Sequence, residues 1–126
     1  MAVVLTLCSK DEAKSRAGIN KIRTYEQFEQ ILDGSKDSLL VIDFYADWCA
    51  PCKMLDPIMK EIAQEYNDRA KFYKVNIDYN RKLAAEFGAS SIPLIVFVKN
   101  KEAVHGLMGV QPYRAYAEAI VKYGHT

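Results

Sequence analysis

The sequence has no long apolar run, no excess of one charge and few cysteines, and each shortage removes a class of protein. No stretch approaches the roughly 20 consecutive apolar residues that a membrane-spanning helix requires. Lys and Arg number 17 against 16 Asp and Glu, a net charge of +1. With no dense Lys/Arg run either, composition gives no reason to expect a nucleic-acid or anionic-membrane partner, although a neutral total can hide a basic face. The cysteines are Cys8, Cys49 and Cys52, an odd number that builds no structural disulfide framework at this length. The remaining Cys and His, namely Cys8, His105 and His125, form no second ligand pair that would complete a zinc site on Cys49 and Cys52, so no metal is expected. There is no internal repeat and no low-complexity tract.

What is present suits one folded domain. Half of the 126 residues are hydrophobic, which supports a continuous core at this length. Charged residues make up 26%, which argues against a disordered chain.

The first 18 residues read as an extension, and residues 19–126 as the domain. Met1 to Cys8 is apolar but short and lacks a basic leader, so it is a poor signal peptide as it stands. It would also fit the trimmed end of a lipoprotein leader at Cys8, except that Leu7 is large for such a cleavage site. Lys10 to Arg16 is a charged run that Gly18 breaks, compatible with a loose arm or a short added helix. A cytoplasmic location is the default, with the periplasm or cell envelope the alternative if a leader was removed.

Patterning then gives the element order β-α-β-α-β-α-β-β-α. Ile19 to Arg23 is a short strand. Thr24 and Gln27 form a helix-capping box, with Phe28, Ile31 and Leu32 on one face and Gly34 at the stop. Leu39 to Ala46 is nearly all apolar and reads as a strand buried on both faces, with Asp43 its exception. From Cys49, Leu55, Ile58, Met59, Ile62, Ala63 and Tyr66 repeat at helical spacing, with Pro57 expected to kink the helix. Ala70 to Ile77 is a strand, and Asn80 to Phe87 a short helix ended by Gly88. Ile92 to Val98 is a strand entered through Pro93, and Lys99-Asn100-Lys101 turns it into a hairpin over Glu102 to Met108. Pro112 opens a last helix that buries Tyr116, Ala117, Ile120 and Val121. Alternation followed by a hairpin predicts an α/β fold, a mixed sheet of about five strands flanked by about four helices.

The chemistry concentrates at Trp48-Cys49-Ala50-Pro51-Cys52. A strand ending near Ala46 and a helix starting near Cys49 put both thiols at a helix N-terminus. Cysteines three apart in a first turn come within disulfide reach. Unpaired N–H groups and the helix dipole stabilise a thiolate there. Cys49, at the helix end, is expected to face solvent and attack; Cys52, one turn in, is expected to be covered and to resolve. Resolution requires Cys52 to lose a proton. Asp43, a carboxyl in a buried strand with a raised pKa, is the candidate base.

The segment from Val41 to Lys53, with Ser91-Ile92-Pro93 downstream, resembles the thioredoxin family, and the resemblance runs from about Ile19 to Tyr123. It implies a thioredoxin fold and thiol–disulfide exchange without a cofactor. It implies that Pro93 is a cis-proline beside the dithiol and that the Ile92 backbone pairs with substrate. Lys74 matches a lysine near the buried acid, Trp48 a tryptophan beside the dithiol, and Gly109 a glycine on the substrate rim. Ala50 and Pro51 complete the substrate-facing set. Ala50 stands where the family usually has Gly, Leu94 where it has Thr, Ser91 where Gly is common, Lys101 where a turn Gly is common, and Tyr45 where Trp is commoner.

The expected activity is protein disulfide reduction, on disulfide-containing proteins, by a monomer that a flavin-dependent thioredoxin reductase recycles. One alternative keeps the chemistry but makes the chain an envelope isomerase, oxidase or dedicated electron donor. Another makes it a binding module without turnover.

Overall fold

The computed structural model describes residues 18–124. Cys8, the charged run Lys10 to Arg16 and His125 lie outside the described residues. Five strands are present among those described: β1 (Ile19–Lys21), β2 (Leu39–Tyr45), β3 (Ala70–Asn76), β4 (Leu94–Lys99) and β5 (Glu102–Met108). Four helices join them: α1 (Tyr25–Gly34), α2 (Ala50–Glu65), α3 (Arg81–Glu86) and α4 (Tyr113–Tyr123). The sheet order is β1-β3-β2-β4-β5. The first three of these run parallel, β4 is antiparallel to β2, and β5 is antiparallel to β4. This is the expected mixed sheet, in the expected order.

Side chains on a strand alternate between faces, and β2 sorts them cleanly. Leu39 and Val41 face the core that α2 and α4 cover, with Phe72, Ile95, Phe97, Tyr116 and Ile120. Leu40, Ile42 and Phe44 face the opposite core, with Phe28, Val75 and Leu83. By this alternation Asp43 falls on the α2 side. So does Lys74, two residues beyond Phe72 and paired in register with Asp43. At the end of the sheet next to α2, that core face therefore carries an acid and a base.

Helix signals act largely as the sequence implies. The Thr24 Oγ1 accepts the Gln27 N–H at 3.1 Å, while Gln27 reaches back to the N–H of Arg23 rather than of Thr24, at 2.7 Å. Helix α1 includes Gly34 and stops one residue later, where the Ser35 hydroxyl bonds the Ile31 carbonyl. Gly88, at φ 65°, closes α3. Helix α2 continues across Pro57.

Three details differ from expectation. Pro112 caps α4 from outside rather than serving as its first residue. The buried face of α4 is Tyr116, Ala117, Ala119 and Ile120, whereas Val121 is 48% exposed; position 119 stands three beyond Tyr116 and shares its side of the helix, and position 121 turns away. Strand β4 begins at Leu94, leaving Ile92 and Pro93 in the preceding loop.

Candidate active site

Strand β2 delivers the chain to the loop Ala46-Asp47-Trp48, and Cys49 is the N-cap of α2. Its Sγ accepts the backbone N–H of Cys52 at 3.2 Å. A helix donor is thus already aimed at the sulfur on which a thiolate would form. Cys49 and Cys52 are paired as a disulfide, with Cα atoms 5.3 Å apart.

The expectation that Cys49 faces solvent is corrected. Cys49 is 4% exposed and Cys52 7%, so neither is the open one. Ala46 packs with both, and the half-buried Tyr45, Ile77 and Ile92 close around them. Ile77 and Ile92 come from loops distant in sequence, which position along the helix cannot reveal. What the helix does confer on Cys49 is the N-cap hydrogen bond.

The Ile92–Pro93 peptide is cis. The Ile92 carbonyl oxygen lies 3.8 Å from Cys49 Sγ. Gly109, at φ 74°, donates its N–H to the Pro93 carbonyl at 2.8 Å, so the end of β5 is tied to the same loop. Positive φ suits glycine there. Trp48, Ala50 and Pro51 are exposed beside the dithiol, the Trp48 ring by 68%. The indole N–H of Trp48 bonds Asp78 Oδ2 at 2.9 Å, and the Asp78 N–H is held by Asn76 Oδ1 at 2.9 Å.

Asp43 is 4% exposed, and its Oδ1 has no hydrogen-bond partner among the described residues. Burial pushes its carboxyl up to about 7; the Lys74 ammonium pulls it down and the Asp56 carboxylate adds to the rise. Lys74 does not give its ammonium to Asp43 alone. Its Nζ lies 3.7 Å from Asp56 Oδ1 on α2 and 4.3 Å from the centre of the Tyr45 ring. Lys74, Asp56, Tyr45 and Cys52 line one open cleft of about 320 Å³. The cleft thus joins the second cysteine to the lysine that faces the buried acid.

Asp56 and Tyr45 were not among the sequence candidates for this site. Asp56 carried a usable signal, since it lies four residues after Cys52 and so on the same side of α2. Asp78 carried none, because its link to Trp48 spans 30 positions. No group of three or more His, Cys, Asp or Glu side chains among the described residues is arranged to hold a metal. No described helix is long and apolar enough to cross a membrane.

A disulfide-bonded pair at a helix N-terminus, at the end of a mixed five-stranded sheet, is the arrangement of a thioredoxin fold. The family is shown directly: the thioredoxin family model matches residues 19–122, and the chain belongs to that family. Thioredoxin-T of Drosophila melanogaster is 41% identical over 88 residues, 70% of this chain and 56% of that protein. The chloroplastic thioredoxin M-type of Pisum sativum is 35% identical over 111 residues, 86% of this chain and 64% of that protein. The chain thus spans somewhat over half the length of these two relatives. The thioredoxin structure from Malassezia sympodialis superposes with a TM-score of 0.77 at 35% identity, covering 86% of this chain and 93% of that one. Family membership and the paired cysteines together support thiol–disulfide oxidoreductase activity.

Proposed function

We propose that the chain is a protein disulfide reductase in which Cys49 attacks and Cys52 resolves. The observation that carries this is the Cys49 Sγ capping α2 through the Cys52 N–H at 3.2 Å, beside a cleft that holds Cys52, Lys74 and Asp56.

The Cys49 thiolate attacks one sulfur of a substrate disulfide. The substrate S–S bond breaks, and the other substrate sulfur leaves as a thiolate and takes up a proton. Cys52 gives its proton to the Asp43 carboxylate by way of the cleft and attacks Cys49 Sγ. The mixed disulfide breaks, the second substrate thiol is released, and Cys49–Cys52 holds the two electrons' worth of oxidation. Asp43, titrating near 7, accepts and returns that proton at neutral pH. Lys74 favours its charged form. Trp48, Ala50 and Pro51 on one side, and Ile92, Pro93 and Gly109 on the other, present the surface against which the substrate segment lies, with the Ile92 backbone available to pair with it. A flavin-dependent thioredoxin reductase supplies the electrons that reopen the disulfide. The protein works as a monomer in the cytoplasm, and residues 1–18 stand outside its catalytic domain.

The test is reduction of insulin disulfides with dithiothreitol as electron source, together with the Cys49–Cys52 potential. A potential of about −270 mV, the value known for thioredoxin, marks a reductant, and one of about −120 mV an oxidant. Absence of insulin reduction with both cysteines intact contradicts the proposal.

A further inference from the structure

The near-neutral chain has a strongly uneven surface. Beside Cys52, the cleft of about 320 Å³ is also lined by Lys21, Lys53 and Asp47. A second cleft of about 320 Å³ shares Lys21, Lys74 and Tyr45 with it and adds Arg23 and Tyr79. A third, of about 330 Å³, shares Arg23 and Tyr79 with the second and adds Arg81 and Lys82. Through these shared residues the three form one trough along the β1 edge of the sheet.

Six cations and two carboxylates line the trough, while the whole chain carries a net charge of +1. The remaining surface is therefore net acidic. One carboxylate, Asp56, is engaged by Lys74. Among the described residues, Lys21, Arg23, Lys53 and Arg81 have no ion-pair partner, and all four are exposed. The cations come from β1 and the loop after it, α2, β3 and α3, so no dense run in the sequence announces them. Tyr79, 77% exposed, offers an aromatic face midway along.

We propose that this trough is the docking surface for an acidic segment of the substrate protein, lying next to the disulfide that Cys49 attacks. The proposal rests on the reductase reading above and names the chemistry of its partner. Charge complementarity chooses the occupant, because unpaired cations in a concave site focus their field on an anionic chain. Location favours a protein over a nucleic acid: one of the three clefts reaches Cys52, so what fills it lies close to the dithiol. Clefts of this size accept side chains.

The test uses the full chain, reduced, and three synthetic peptides that share one disulfide loop and differ in a short flank: Asp/Glu, Ser/Gly or Lys. Reduction kcat/KM is measured at about 20 mM and about 500 mM salt, where screening differs greatly. The acidic peptide is expected to exceed the neutral one about tenfold at low salt, and the Lys peptide to fall below it. The acidic-to-neutral ratio should collapse toward one at high salt and in Lys21→Glu/Arg23→Glu. A Lys21→Gln/Arg23→Gln variant, with its melting temperature matched to the parent, guards against misfolding and should lose most of the ratio. Equal rates for all peptides overturn the docking proposal, as does a preference that survives in both variants. Binding of a fluorescent single-stranded oligonucleotide through Lys21 and Arg23, with no preference among peptides, overturns it in favour of a nucleic-acid surface. Failure to reduce any peptide overturns the reductase reading itself, and the docking surface with it.

Discussion

The Lys74 ammonium, whose strand-register partner is the buried Asp43, makes its 3.7 Å ion pair with Asp56 on the neighbouring helix. Asp43 thus shares its nearest cation with a second carboxylate. Lys74 from β3 and Asp56 from α2 are the charged groups that act on Asp43, and its register neighbour on β4 is Ile95.

Asp56→Asn should lower the Asp43 pKa from about 7. The substitution removes a carboxylate that raises it and frees Lys74 to favour the charged form. Titrating the Asp43 carboxyl carbon by NMR checks this. The acid limb of the reduction rate should move to lower pH, with a roughly threefold gain at pH 6, the size expected from half a unit. Asp56→Glu should restore much of the parent behaviour.

Asp43→Asn should stabilise the fold at pH 8 while slowing the reaction. Unfolded, the carboxyl titrates near 3.8; folded, near about 7. Between those values the native state holds the proton and the unfolded state does not, so native stability falls as pH rises through that window. The amide neither titrates nor suffers that loss. Urea unfolding should show Asp43→Asn more stable than the parent by about 2–4 kcal/mol at pH 8, with the gap closing towards pH 4. Insulin reduction should slow by roughly tenfold or more, because Cys52 loses its base.

Lys101→Gly should stabilise the β4–β5 hairpin. The register Lys99 opposite Glu102 leaves a two-residue turn in which Asn100 and Lys101 have φ 52° and 67°. Such turns favour glycine at the second position. The left-handed strain relieved is about 1–2 kcal/mol, against which stands the exposed 3.0 Å pair of Lys101 with Asp33, worth about 0.2–1 kcal/mol. Thermal unfolding should show a net gain of about 0.5–1 kcal/mol.

Gly124→Ala should destabilise the fold by about 1–3 kcal/mol, read by urea unfolding. A Cβ there would stand 2.5 Å from the Ile120 carbonyl oxygen and 3.0 Å from that of Arg69. Both are backbone atoms, so neither can swing aside as a side chain tip would.

Much of this was legible in the sequence, and the limits have physical causes. The apolar run from Leu39 specified a strand buried on both faces, and its one acid marked the place where the core turns polar. Cys49, Cys52 and Ile92 meet in space, and the Ile92–Pro93 peptide is cis. The burial of Cys49 was not legible, because Ile77 and Ile92 cover it from loops distant in sequence. Asp56 was half legible: spacing placed it on the Cys52 side of α2, but only packing shows that this side meets Lys74. Val121 misled because it is more hydrophobic than Ala119, whereas burial on α4 follows angular position. The basic trough was illegible, since four elements contribute its charges.

The most direct test of the account is trapping with Cys52→Ser. Without the resolving thiol, the mixed disulfide with insulin should persist, and mass spectrometry should find an insulin chain bonded to Cys49. An adduct on Cys8 instead, or trapping by Cys49→Ser in place of Cys52→Ser, would contradict the assignment of Cys49 as the attacking residue.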